Sequence, residues 1–233
     1  MSNNKNIIGI IGGMGPAATV DLMQRIIDAT PADDDKDHFR VLVDNNSQIP
    51  SRIAALIDKT GESPAPMMIE TALGLQKMGA DVLAIPCNTA HFYHKEVADA
   101  LSISVLNMIE LSAKYIRQTK PSAKKIGLLA STAVQLTGLY EPYFEKYGIN
   151  VVYPKPQDQE ELMMLIKDIK SNQHQTKQLD EYYEIANRLS EVGADCLLVA
   201  CTEFSIIDEK HKFKLPHFDA LNILVEGITQ TDF

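Results

Sequence analysis

Gly79-Ala80-Asp81-Val82-Leu83-Ala84-Ile85-Pro86-Cys87-Asn88-Thr89 occurs a second time, altered but recognisable, as Gly193-Ala194-Asp195-Cys196-Leu197-Leu198-Val199-Ala200-Cys201-Thr202-Glu203. In each copy a Gly-Ala-Asp turn leads into an apolar run of the length of a buried strand, and a cysteine stands eight residues after the glycine. The openings repeat as well. Ile7-Ile8-Gly9-Ile10-Ile11-Gly12 is echoed by Lys125-Ile126-Gly127-Leu128-Leu129-Ala130, with the matched glycines 118 apart and the matched cysteines 114 apart. A whole series of elements therefore recurs once.

Outward from these runs, strand-like segments at 6–11, 39–43, 103–106, 150–153 and 215–218 alternate with helical patterns. The expected helices cover 17–30, 66–78, 92–101, 109–118, 134–147, 159–170, 178–192 and 220–229, the first presenting Val20, Met23, Ile26 and Ile27 on one face. Strands alternating with helices predict parallel sheets built from βαβ units. The duplication predicts two pseudo-symmetric α/β lobes, one formed by 1–105 with 209–233 and the other by 106–208. Ligands of open α/β sheets bind beyond the carboxyl ends of strands, so the cysteines, the polar segment 44–52 and Ser131-Thr132 are expected to line a cleft between the lobes.

The chain has 233 residues, 45% of them apolar and 23% charged, with a formal net charge of -9. That suits a soluble protein with a substantial core. The scattered basic residues give no footprint for nucleic acid or an anionic membrane, and no run reaches the roughly 20 apolar residues of a membrane helix. The opening residues pass into a strand-like segment without the apolar region of a secretory signal. Three cysteines without framework spacing point to free thiols in a reducing compartment, so the cytoplasm is the expected location.

Gly13-Met14-Gly15-Pro16-Ala17-Ala18 fits the dinucleotide pattern G-x-G-x-x-G/A between a strand and a helix, which makes a nicotinamide oxidoreductase a rival reading. Against it, Asp44 lies about thirty residues on, where an acid roughly 20 residues on is usual, and Pro16 removes an N–H that a pyrophosphate would need. The plainer reading is a glycine turn beside a small anion. Cys196, inside an apolar strand, reads as packing. Cys87 and Cys201 stand at strand ends beside polar residues, where backbone N–H groups are expected to favour the thiolate. A disulfide between them, or a metal site with His91 and His94, are alternatives; the metal reading lacks Cys-x-x-Cys spacing. Arg52, after Pro50, suits capture of a carboxylate or is a surface arginine at a helix start, and Lys170 taken alone is a cation near a helix C-terminus.

Two thiols across one cleft suit two-base proton transfer at carbon. One, as thiolate, removes a proton from one face while the other, as thiol, delivers one to the opposite face. Their titrations would then be coupled.

Ile8 to Thr19, the Pro86-Cys87-Asn88-Thr89-Ala90-His91 segment and the Ala200-Cys201-Thr202-Glu203 segment together resemble the aspartate/glutamate racemase superfamily, in particular its aspartate racemase branch. The resemblance implies a cofactor-independent amino-acid racemase of two similar α/β lobes, usually a homodimer, acting on a small amino-acid substrate. By that resemblance Cys87 and Cys201 are the catalytic acid/base positions. Asn88, Thr89, Thr202, Ser131 and Thr132 match the region that holds the substrate's carboxylate and amino group, with Met14 and Glu203 among the contacts. Arg52 and Lys170 match the basic pair for a side-chain carboxylate, and Lys167 competes with Lys170. Glutamate, a broader range of amino acids, or binding without catalysis stay open beside aspartate.

Overall fold

A computed structural model describes residues 5–207 and 213–230. In chain order the elements are β1 (Ile8–Ile11), α1 (Pro16–Ala29), β2 (Val41–Asp44), α2 (Ala65–Lys77), β3 (Val82–Ala84), α3 (His94–Asp99), β4 (Ser104–Val105), α4 (Met108–Thr119), β5 (Lys125–Ala130), α5 (Thr132–Thr137), α6 (Glu141–Glu145), β6 (Asn150–Val152), α7 (Pro156–Lys170), α8 (Thr176–Arg188), β7 (Cys196–Ala200), α9 (Thr202–Ile207), β8 (His217–Asp219) and α10 (Ala220–Gln230). They form two parallel four-stranded sheets, ordered β2-β1-β3-β4 and β6-β5-β7-β8, flanked by helices. The strand order is the same in both, as the duplicated sequence requires. No helix among the described residues is long and apolar enough to cross a membrane.

The Gly-Ala-Asp turns act alike in the two sheets. Gly79 and Gly193 take positive φ, 96° and 86°, which a side chain would resist. The aspartate that follows accepts backbone N–H groups at the start of the neighbouring strand: Asp81 from Ile7 at 2.7 Å, and Asp195 from Lys124 at 2.7 Å and Lys125 at 2.8 Å. Those two bonds hold the Asp195 carboxyl below its ordinary pKa. The register pairs Gly9 with Leu83 and Gly127 with Leu197, and each leucine Cδ2 lies where a Cβ on the glycine would stand, 2.3 Å and 2.8 Å away.

Contacts divide the chain into two units, one running to Met108 and resuming at Leu221, the other Ile109–Ala220. The boundary expected near 209 put the last strand with the first lobe; β8 instead pairs with β7 in the second sheet, and only α10 returns to the first unit. Local breakers also divide two expected helices. Residues 89–93 make a 3₁₀ turn before α3, and Gly138, at φ 58°, ends α5 before α6 begins.

Candidate active site

In each sheet the strand order reverses between the first strand and the cysteine-bearing one, β1 beside β3 and β5 beside β7. The carboxyl ends at such a switch point are where open α/β sheets bind ligands. Cys87 follows β3 and Cys201 follows β7; both are free thiols and both are 7% exposed.

The first unit brings Met14, Arg52, Cys87, Asn88 and Thr89 into one sheet's loops. Met14 is buried in the apolar cluster that includes Cys87 and Ile11. Asn88 is buried and Thr89 opens the 3₁₀ turn. His91 fixes the backbone here: its Nδ1 lies 2.8 Å from the Cys87 carbonyl and its Nε2 accepts the Met108 N–H at 3.1 Å. That pair of contacts defines the neutral tautomer, with Nδ1 as the donor. Burial, and next the charge of His94 among the lowering causes, bring its pKa down to about 4. His91 and His94 thus serve the backbone, since His94 Nε2 meets the Val105 carbonyl at 2.9 Å. Among the described residues no cluster of histidine, cysteine and carboxylate could hold a metal.

Arg52 turns one nitrogen, Nη1, back on its own loop, donating to Pro50 at 2.8 Å and Ile49 at 3.2 Å. Its Nε and Nη2 make no hydrogen bond with the described residues, which leaves the edge of the fork that grips a carboxylate with two parallel bonds. The glycine turn is filled by the protein itself. The Gly13 N–H donates to Thr19 Oγ1 at 3.0 Å, and a Cβ on Gly13 would stand 2.2 Å from the Asn46 carbonyl. The close approach that suggested a dinucleotide is made by the chain segment after β2.

The second unit gathers Ser131, Thr132, Lys170, Cys201, Thr202 and Glu203. The Ser131 hydroxyl accepts from the Val134 N–H and caps α5. The Cys201 carbonyl accepts the Phe204 N–H at 2.9 Å as α9 begins, and Thr202 is buried beside it. The thiol donates to Glu203 Oε2 at 3.0 Å, and Lys170 Nζ lies 3.3 Å from Glu203 Oε1. Burial first, then the charge and hydrogen bond of Glu203, push Cys201 well above the ordinary thiol range, against the pull of Lys170. The expected preference for thiolate is thus reversed at Cys201. Glu203, expected among substrate contacts, accepts the thiol's hydrogen bond. Lys170 is the lysine that reaches this pair; no ion pair forms at Lys167 among the described residues. Cys196 is fully buried in β7, and burial raises it to about 11.

Two residues of α7 at this end were not anticipated. Gln159, 5% exposed, donates from Nε2 to the Ala130 carbonyl at 2.9 Å, and Met163 sets its sulfur 3.2 Å from the Thr132 N–H. With Lys170 they stand at i, i+4 and i+11, one helix face laid from the end of β5 to the start of α9. The signal available beforehand was a polar residue on an apolar stripe: the buried positions of α7 are Gln159, Leu162, Leu165 and Ile166.

A family model described as Asp/Glu/Hydantoin racemase matches residues 11–228. A broad specificity amino-acid racemase, RacX, of Bacillus subtilis is 27% identical over 229 residues, 97% of each chain. The structure of an aspartate racemase from Picrophilus torridus superposes with a TM-score of 0.84 at 33% identity, covering 97% of this chain and 93% of that one. A glutamate racemase isoform, RacE1, of Bacillus anthracis shares the fold alone, with a TM-score of 0.70 at 15% identity over 97% and 81%.

Proposed function

Because this chain belongs to the Asp/Glu/hydantoin racemase family, we propose that it interconverts L- and D-aspartate by two-base proton transfer at the α-carbon, with Cys87 and Cys201 as the two bases. The observation that carries the reading is the matched placement of the two thiols, each just past the strand at the switch point of its own sheet. Two-base inversion needs one sulfur protonated while the other is ionised. Cys201 is suited to be the acid of the resting pair, because burial and Glu203 keep its proton on. Cys87, as thiolate, then removes the α-proton of one enantiomer and Cys201 protonates the opposite face. The reverse reaction begins from the opposite protonation state. The forward turnover itself supplies that state, since Cys87 ends with the proton taken from the α-carbon and Cys201 ends ionised after giving its own proton up.

The free edge of the Arg52 guanidinium and the Lys170 ammonium are the cations proposed for the side-chain carboxylate, which favours an acidic substrate. One observation supports a broader range. Lys170 already has a carboxylate partner in Glu203, so its pairing with a substrate carboxylate is a competition and not a vacancy filled. The aspartate racemase at 33% identity and the broad specificity racemase at 27% stand on the two sides of that choice.

The test is incubation with L-aspartate in heavy water without added cofactor. D-aspartate carrying deuterium at the α-carbon is expected, and absence of both inversion and label would sink the reading. Running the same assay over a panel of amino acids sets the range. Cys87→Ala and Cys201→Ala should each abolish inversion while aspartate still binds, and a variant that still racemises removes that cysteine from the mechanism.

A further inference from the structure

Gln159 sits near the start of α7 with its amide oriented by the protein. Nε2 donates to the Ala130 carbonyl at 2.9 Å and lies 3.4 Å from Thr132 Oγ1. The Ala130 carbonyl can only accept, so turning the amide over would set oxygen against oxygen. The other end, Oε1, is buried and has no hydrogen-bond partner among the described residues. Pinning α7 to the end of β5 requires only the nitrogen. A leucine or methionine there would pack without stranding an acceptor, and a buried acceptor with no donor is costly to keep.

An α-amino acid with an acidic side chain offers carboxylate oxygens, which accept, and a single donor group, the ammonium. We infer that Gln159 is a specificity-determining residue that receives the substrate's α-ammonium on Oε1, an inference that rests on the amino-acid racemase reading of this site. The neighbouring backbone supplies the complement. The Thr132 N–H, one residue past the Ser131 cap, meets only the Met163 thioether, a weak acceptor that a carboxylate oxygen would replace with gain. An oxygen for the ammonium, on a side chain bonded to Ala130, and an N–H for the carboxylate, on Thr132, are then both supplied at the end of β5. That pairing selects α-amino acids over hydroxy acids and simple dicarboxylates.

The test compares L-aspartate with succinate, which keeps both carboxylates and lacks the ammonium. Binding of each to the wild-type protein and to Gln159→Met is measured by calorimetry, with KM and the succinate inhibition constant from the exchange assay alongside. Removing a hydrogen bond to a charged group should weaken aspartate at least about tenfold. Succinate should change less than about threefold, which also shows that the variant keeps its fold. Equal losses for both ligands would make Gln159 a structural staple and overturn the inference, as would no loss for either, or failure of wild type to prefer aspartate to succinate. Absence of deuterium exchange in the wild type would instead strike the racemase reading, and the binding ratio would still decide Gln159.

Discussion

His91 shows how a buried ring can fix the backbone beside a residue proposed to do chemistry. Its neutral ring joins the Cys87 carbonyl to the Met108 N–H, so protonation would replace an accepted hydrogen bond with a clash of two donors. The folded-state pKa of about 4 lies below the ordinary 6.5. The unfolded chain therefore takes up the proton first, and stability that is complete above pH 6.5 is lost as pH falls toward 4. The whole effect is about 3 kcal/mol at most. Urea titrations at pH 7.5 and 4.5 should show His91→Asn, which keeps a donor near the Cys87 carbonyl, losing less stability than the wild type; equal losses would mean the ring titrates normally. The cysteines were legible because strand length, strand end and repeat are local facts. The Cys201–Glu203–Lys170 chain of contacts was not, since Lys170 is distant in sequence and only folding turns it toward the thiol.

Among the elements, α1 departs most from its periodicity. Val20 and Ile27, expected inward, are 62% and 49% exposed, while Ala18, Thr19, Leu22 and Ile26 face the core. The cause is the turn before the helix: Thr19 is drawn inward to accept the Gly13 N–H, and that rotates the helix away from its bulkier stripe. An apolar count cannot register such a hydrogen bond. The paired glycines of β1 and β5 were legible as a repeat but not as a packing device, which depends on strand register. Gly127→Ala sets a methyl 2.8 Å from Leu197 Cδ2 and 3.1 Å from Leu189 Cβ, so it should destabilise by about 1–3 kcal/mol. Urea midpoints measure this, and an unchanged midpoint would show that the leucines move aside freely.

For the whole molecule, duplication was the strongest statement in the sequence, and the two sheets of identical strand order bear it out. The seam near the end of the chain was harder to place, because β8 and α10 are adjacent in sequence yet go to different units. In the first unit α10 supplies the buried Leu221, Leu224 and Ile228, and Arg25 of α1 donates to Asn222 Oδ1 at 2.7 Å. Three such side chains are worth about 1.5–3 kcal/mol each, of the order of a domain's entire stability. A chain ended after Asp219 should therefore lose the first unit, with limited proteolysis releasing peptides of α1 and α2 before those of α7 and α8; the reverse order of release would refute this. The same seam has a consequence during synthesis. A ribosome delivers α1 among the first elements and α10 last, so the unit begun earliest is the one completed latest, and its half-built face must wait in solution while the whole of the other unit is made.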